Sequence, residues 1–286
     1  MPDRRDRPGG QRVLCAPGPG HASFPGKGPR RWTLRKVPAI TAYFWIVKVL
    51  TTAMGEATSD YLVHRFDPYF GVALGAVAFA AAMAVQLSVR KYIAWVYWLA
   101  VVMVAIFGTM IADATHIELG VPYATSSILF AVILAAVSVA WYRPEGTLSI
   151  HSILTLRREL FYWATVCATF ALGTAVGDMT ASTFHLGYLV SGILFAVVIA
   201  MPAAAHRFAG LDAVVAFWFA YIVTRPLGAS FADWMGVPHA LGGLNWGRGT
   251  VSVCLTIIIV AFVAYLSVSR VDVGETTEPE SLAEPA

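Results

Sequence analysis

Charged residues are scarce in this chain. They make up 13% of its 286 residues, whereas hydrophobic residues make up 58%. Together with a mean hydropathy of +0.67, this composition excludes an ordinary soluble domain. Cysteine is rarer still. The three cysteines include no CxxC pair, so we predict no disulfide and interpret Cys167 and Cys254 as small apolar residues.

Several signatures of known chemistry are also missing. The chain has no HExxH or HxxxH pattern and no nucleophile elbow, although zinc enzymes and hydrolases usually show such closely spaced groups. The net charge of +3 comes from the N-terminal segment and the connections between apolar segments, so nucleic-acid binding is not indicated. A function other than catalysis is favoured, and the enzyme question stays open.

Long hydrophobic runs take the place of these motifs. Eight apolar segments approach the roughly 20 residues that a bilayer core requires. They cover residues 37–62, 69–89, 92–117, 121–141, 160–183, 186–205, 213–234 and 249–269. We therefore predict an all-α, polytopic membrane protein with eight transmembrane helices, in contact with the lipid bilayer.

Basic residues distinguish the two predicted sides of the membrane. Arginine and lysine are concentrated before the first segment and in the connections that follow the even-numbered segments. Because cytoplasmic loops carry the excess of these residues, both termini are predicted to be cytoplasmic. Outside the membrane domain of residues 37–269, we expect a disordered basic leader (1–36) and a disordered acidic tail (270–286).

One residue spacing recurs four times: a tryptophan, a glycine ten residues later and an aspartate five residues after that. The sets are Trp45-Gly55-Asp60, Trp98-Gly108-Asp113, Trp163-Gly173-Asp178 and Trp218-Gly228-Asp233. Each set opens a unit of two segments, at about residues 37–89, 92–141, 160–205 and 213–269. Because each unit has an even number of segments, the pattern predicts four parallel repeats around an axis along the membrane normal.

The repeated aspartates are the first candidates for a functional site. Ionisable residues inside membrane segments are costly and usually functional. Glu56 lies one helical turn before the first aspartate and adds a fifth carboxylate. We expect these acids to converge on a shared polar pocket that binds a cation. The predicted cation-binding set is Glu56, Asp60, Asp113, Asp178 and Asp233.

Two basic side chains lie in the same segments as the acids. Lys48 precedes Glu56 at a spacing that places both on one helical face, and Arg225 lies in the last repeat. We interpret both as internal counter-charges. Pro226 lacks a backbone donor and disfavours helix at Arg225, so the seventh segment is expected to be kinked or broken there.

The remaining repeated residues have simpler interpretations. The four glycines favour close helix packing, and the four tryptophans favour interior packing or anchoring at the membrane interface. A histidine follows each aspartate within seven residues; these are His64, His116, His185 and His239. They are possible metal ligands, although a hydrogen-bonded position at a helix end is the more common role for such residues.

The motifs KVLTTAMGEATSDY, FGTMIAD, LGTAVGD and RPLGASFADW, each with its upstream tryptophan, carry a family resemblance. With them the chain resembles a family of bacterial inner-membrane proteins built from four tandem two-helix repeats, known as a repeat of unknown function. The resemblance covers about residues 37–269. It implies a bacterial cytoplasmic-membrane location and leaves the activity open.

The residues favour a transporter of a small cation, either a divalent metal or a proton-coupled ion. Carboxylate oxygens suit Mg²⁺, Mn²⁺ or Ca²⁺, and histidines would extend the range toward Fe, Ni or Zn. No cofactor is required, since a divalent metal would be the substrate. The alternatives are an anion or organic solute held by Lys48, Arg225 and Arg248, a scaffold or sensor with buried salt bridges, and an intramembrane zinc hydrolase. The oligomeric state is left open.

Overall fold

The computed structural model describes residues 36–273. Most of the predicted leader and tail lies outside these residues. The described part of the chain is helical throughout, with short irregular connections and no strand, so the all-α prediction is confirmed. Its α-helices are α1 Ala42–Arg65, α2 Pro68–Ser88, α3 Ala94–Ile117, α4 Tyr123–Glu145, α5 Leu156–Asp178, α6 Gly187–Val198, α7 Ala200–Ala209, α8 Ala213–Gly236 and α9 Arg248–Ser269.

Local sequence determines where several of these helices begin. Thr41, Asp67, Thr155 and Asp212 precede α1, α2, α5 and α8, and each side chain accepts a hydrogen bond from a backbone N–H two or three residues further on. Such N-caps satisfy amide groups that have no partner within the helix. Pro68, in the first turn of α2, adds a residue whose φ angle already suits a helix.

Seven segments of the described chain are long and apolar enough to cross a membrane. They are α2, α3, α4, α5 with the turn after it, the pair α6–α7, α8 and α9. Helix α1 has 24 residues and is equally long, but it carries several charged residues. Lys48 and Glu56 among them are buried inside the protein, so the charge of α1 does not face outward at these positions.

The first helices of the four repeats form a closed ring. Helix α1 packs against α3, α3 against α5, α5 against α8, and α8 against α1 again. The second helices lie outside this ring, each against the first helix of the next repeat: α2 on α3, α4 on α5, α6 and α7 on α8, and α9 on α1. Each repeat therefore contacts the next in the same way around a common axis. We call the two ends of this ring the tryptophan end and the aspartate end, after the repeated residues found there.

The repeated glycines lie at the contacts between neighbouring ring helices. A Cβ atom built at Gly108 would lie 2.9 Å from the Cβ of Phe170, and one at Gly173 would lie 2.6 Å from the Cβ of Arg225. Gly55 meets Ala105 and Gly228 meets Thr52 in the same way. In every case the contacted residue lies three positions before the glycine of the next repeat. These glycines therefore lie where neighbouring ring helices approach each other closely.

Aromatic pairs occupy the tryptophan end of the ring. The residue before each repeated tryptophan is aromatic, and its ring contacts the tryptophan of the following repeat. The contacts are Phe44–Trp98, Tyr97–Trp163, Tyr162–Trp218 and Phe217–Trp45, with ring centroids 5.6 to 6.2 Å apart. Trp98, Trp163 and Trp218 are buried. The tryptophans therefore pack the core between repeats.

Helix α8 does not break at Pro226, and this part of the prediction is wrong. The helix continues from Ala213 to Gly236 with Pro226 inside it. A neighbouring ring helix contacts α8 at this turn, since the Thr52 hydroxyl donates to the Thr224 carbonyl oxygen at 3.1 Å. The irregular turn lies elsewhere: a π-helical turn, Met179–Thr183, follows Asp178.

Residues at both edges of the helical domain are packed rather than free. Lys36, assigned to the disordered leader, places its Nζ 2.5 Å from Glu159. Asp272, assigned to the disordered tail, is buried and accepts a hydrogen bond from Tyr92. These two assignments are wrong, because a polar partner on the helices holds each residue. The rest of the predicted disorder concerns residues 1–35 and 274–286, outside the described residues.

Candidate functional site

One guanidinium group spans the centre of the ring. Arg225, on α8, lies 2.5 Å from Glu56 on α1 and donates further hydrogen bonds to Thr109 on α3 and Thr174 on α5. It also donates to the Thr52 carbonyl oxygen. Glu56, Thr109 and Thr174 each follow the glycine of their repeat by one residue. Arg225 therefore connects all four ring helices at one level of the axis.

Lys48 lies on the same axis but has no acidic partner among residues 36–273. Its side chain is buried, and its Nζ lies 4.0 Å from the ring centroid of Phe170 and 4.2 Å from that of Tyr221. Of the two predicted counter-charges, the structure thus brings Arg225 to a carboxylate and leaves Lys48 between two aromatic rings. Phe170 lies close to both cations, since the Arg225 Cζ is 5.6 Å from its centroid.

Three of the predicted acids converge at the aspartate end. Glu56, Asp60 and Asp233 each offer an oxygen, and these oxygens lie within 4.8 Å of one another. Arg248, on α9, places its Nε 2.7 Å from the Asp60 carboxylate. This contact is an ion pair rather than a hydrogen bond, because the N–H group does not point at the oxygen. The cluster therefore has three carboxylates, with Arg225 paired to Glu56 and Arg248 paired to Asp60.

The other two aspartates lie around the same cluster. Asp113 is close enough to Glu56, Asp178 and Asp60 for mutual electrostatic repulsion, and Asp178 is similarly close to Glu56 and Asp60. Within residues 36–273, the side chains of Asp113, Asp178 and Asp233 have no hydrogen bond and no ion pair. Like charges brought together without partners attract a cation or a proton. All four repeats thus contribute a carboxylate to one region.

The four histidines are not part of this cluster. His64, His116 and His239 each use Nδ1 in a contact with a backbone carbonyl oxygen at 2.7 to 2.8 Å. His185 has a left-handed backbone conformation with φ of 55°. The single group of possible metal ligands found in the described chain contains carboxylates alone. The structure therefore does not place the histidines as a ligand set with the acids.

Two features of the site were not predicted. The aromatic residue before each repeated tryptophan could have been found by aligning the repeats, because Phe44, Tyr97, Tyr162 and Phe217 occupy one alignment column. The second is that Tyr123 and Tyr188, near the starts of α4 and α6, lie within electrostatic reach of Asp178. No spacing in the sequence indicates that these tyrosines lie near Asp178, since this depends on which outer helix covers which ring helix.

The fold and the buried charges define a class of protein: an all-helical ring of four two-helix repeats with apolar outer helices and ionisable groups on its axis. The profile of the family described as Repeat of Unknown Function (DUF347) matches residues 43–92, 96–147, 161–211 and 216–272. These matches coincide with the four repeats and cover more than half of the chain, which therefore belongs to this family. Comparisons with curated proteins and with solved structures find no match.

Proposed function

We propose that this protein is an integral membrane transporter of a small cation, with a divalent metal as the favoured substrate. The carboxylates at the aspartate end bind the ion, and Arg225 holds Glu56 when the ion is absent. Oxygen ligands of this type suit hard cations such as Mg²⁺ and Mn²⁺. One observation carries the proposal. Glu56, Asp60 and Asp233 each offer a carboxylate oxygen, and these three oxygens lie within 4.8 Å of one another.

The proposal includes eight membrane-spanning segments, with α1 as the eighth. The contacts between ring helices support α1 as a membrane span, because α1 occupies the same place in the ring as α3, α5 and α8. Lysine and arginine accumulate at the tryptophan end, for example at Arg90, Lys91 and Arg207. Cytoplasmic loops carry an excess of lysine and arginine. The tryptophan end and both termini therefore face the cytoplasm. The expected location is a bacterial cytoplasmic membrane.

A transport assay with substituted aspartates tests this function. We expect Asp113→Asn and Asp178→Asn to slow Mn²⁺ entry into proteoliposomes by about tenfold or more, since losing about 1.4 kcal/mol of ion binding changes an affinity tenfold. Metal entry is followed with a metal-quenched dye enclosed in the vesicles. Asp67→Asn is the matched control, because Asp67 is an exposed acid and asparagine also caps a helix.

The same variants separate the transporter from a scaffold. A scaffold held by buried charges would lose thermal stability in proportion to any loss of function, whereas the transporter variants should melt within a few degrees of the wild type. An intramembrane hydrolase would instead retain about one zinc ion per purified chain. Absence of Mn²⁺ and Mg²⁺ flux in the folded wild-type protein would contradict the proposal.

Anion transport is the second candidate, and a specific observation favours it. Lys48 and Arg225 place two cationic groups on the axis, and no acid of the described helices is paired with Lys48. An anion transporter would keep its flux in the Asp113→Asn variant and lose it in Arg225→Met. Parallel assays with Mn²⁺ and with chloride or phosphate therefore distinguish the two substrate classes.

A further inference from the structure

Within the described part of the chain, Lys48 has none of the usual partners of a buried lysine. Its side chain is 1% exposed, and its Nζ has no hydrogen-bond partner among the described residues. The faces of Phe170 and Tyr221 are its nearest support. Aromatic rings attract an ammonium ion, but they recover only part of the free energy lost when that ion leaves water. A permanently charged Lys48 is therefore unfavourable here.

The surroundings of Lys48 add a second positive charge. The elements packed around its amine carry Arg225 and Tyr221 on α8, Cys167 on α5, and Glu56 on α1 itself. On α3, the buried hydroxyl of Tyr97 is hydrogen-bonded to that of Tyr162 on α5. Arg225 repels a charged Lys48, and Glu56, the nearby acid, is already paired with Arg225. Because an arginine keeps its proton in proteins, only Lys48 can relieve this repulsion by releasing one.

We propose that Lys48 is the proton-carrying residue of the transport cycle, so that the protein exchanges its cation for a proton. This inference rests on the proposed function. When the cation binds, an Nζ–H bond of the Lys48 ammonium group breaks, the electron pair stays on nitrogen and the proton leaves. When the cation departs, the neutral amine takes up a proton again.

A row of three tyrosine hydroxyl groups extends from Lys48 toward the tryptophan end. The Tyr221 ring lies over the amine, and its buried hydroxyl interacts electrostatically with that of Tyr162. The hydroxyls of Tyr162 and Tyr97 are hydrogen-bonded at 2.5 Å. The Tyr221 hydroxyl forms no hydrogen bond of normal geometry with the residues that the structure describes, so the row has one gap, between Tyr162 and Tyr221. A water molecule or a small ring movement would complete the path.

Electrostatic coupling between Lys48 and the acids gives the direction of exchange. Lys48 and Glu56 are eight residues apart on α1, which corresponds to about 12 Å of helical rise. Two unit charges at about 12 Å and an effective dielectric constant of about 20 change each other's binding about tenfold. A proton on Lys48 and a cation beside Glu56 therefore weaken each other reciprocally. Cation and proton should move in opposite directions.

Proteoliposomes with Mn²⁺ outside and a pH-sensitive dye inside test the exchange. We expect wild-type Mn²⁺ entry to be accompanied by proton exit, and an imposed pH gradient to drive Mn²⁺ accumulation. Lys48→Met should lose both proton effects, with Mn²⁺ entry followed in the same vesicles. Lys48→Arg, with a fixed charge, should lack proton exit and slow Mn²⁺ entry about tenfold. Lys91→Met is the matched control at an exposed lysine and should behave as the wild type.

The outcomes separate the two proposals. Absence of Mn²⁺ flux in the wild type would contradict the transport function itself and the exchange with it. Wild-type flux without proton exit would overturn the role of Lys48 alone, and so would proton exit retained in Lys48→Met or Lys48→Arg. If Lys48→Met fails to fold, Lys48→Arg decides the question, because it keeps the charge and much of the volume of the side chain.

Discussion

At the scale of single residues, Arg225 is the most connected polar side chain on the ring axis. It joins Glu56, Thr109 and Thr174 from three other helices. A buried ion pair contributes little net stability compared with apolar residues of similar volume, but removing one partner leaves a buried charge alone. The energetic importance of this pair therefore depends on whether one or both members are changed.

A double-mutant cycle measures this dependence. Arg225→Met should lower the free energy of unfolding by about 3–5 kcal/mol, because Glu56 is left buried without its cation. Combining it with Glu56→Leu should recover most of that loss, so the two changes will not add. Chemical unfolding of the detergent-solubilised protein gives the values. Simple additivity of the two single effects would show that the pair is not coupled.

The sequence predicts Arg225 better than Lys48. Both were expected to pair with acids, since each lies on a helix that also carries a carboxylate. Arg225 does pair with Glu56, while Lys48 lies against Phe170 and Tyr221. Those two rings belong to other repeats, and no spacing within α1 indicates them. A residue's partners across the ring depend on the helix offsets, which the linear pattern does not contain.

At the scale of helices, the four glycine contacts determine how closely the ring helices approach. A Cβ at Gly228 would overlap the Thr52 side chain and lie 2.8 Å from the backbone nitrogen of Ala53. A backbone atom in the neighbouring helix cannot move away alone. Each glycine contact therefore constrains two whole helices, and substitutions there act on the ring rather than on one turn.

Replacing glycine by alanine tests this constraint. Gly228→Ala should lower the free energy of unfolding by about 1–3 kcal/mol through overpacking, despite the better helix propensity of alanine, worth about 1 kcal/mol. Gly71→Ala on α2 is the matched control, because its nearest neighbouring atom would be 3.7 Å away. It should be neutral or stabilising. Equal effects of the two substitutions in thermal or chemical unfolding would contradict the close-contact explanation.

The sequence predicts which helices form but not all of their details. The tryptophan–glycine–aspartate spacing predicted the four ring helices and their glycine contacts. The predicted break at Pro226 was not found, since α8 continues through this residue. The π-helical turn after Asp178 has no signal in the residue types of Met179–Thr183. Features that depend on tertiary support were thus the ones missed.

At the scale of the whole molecule, the outer helix of the last repeat packs against the ring helix of the first. Helix α9 packs against α1, where Thr58 and Ser252 share a hydrogen bond of 2.5 Å. Near the same interface, Arg248 forms its ion pair with Asp60. The fourth repeat therefore covers the first, as each earlier repeat covers the one that follows it.

A cysteine cross-link checks this packing. In a protein whose native cysteines are replaced by alanine, Thr58→Cys with Ser252→Cys should form a disulfide under mild oxidation, since their hydroxyl oxygens are in contact and disulfides need Cβ atoms about 4 Å apart. Thr58→Cys with Thr256→Cys, one turn further along α9, is the control. A faster-migrating band on non-reducing gels reports the link. Equal cross-linking of both pairs would contradict the defined α1–α9 register.

The position of Arg225 at the centre of the ring determines whether such a ring could be built from identical subunits. The axis at that level holds one guanidinium, and four copies of Arg225 would bring four positive groups to one point. Four identical subunits could not assemble in this way. Joining the repeats in one chain lets one copy supply the cation, another the acid and two more the hydroxyls. Covalent linkage thus permits a division of labour that symmetry would forbid.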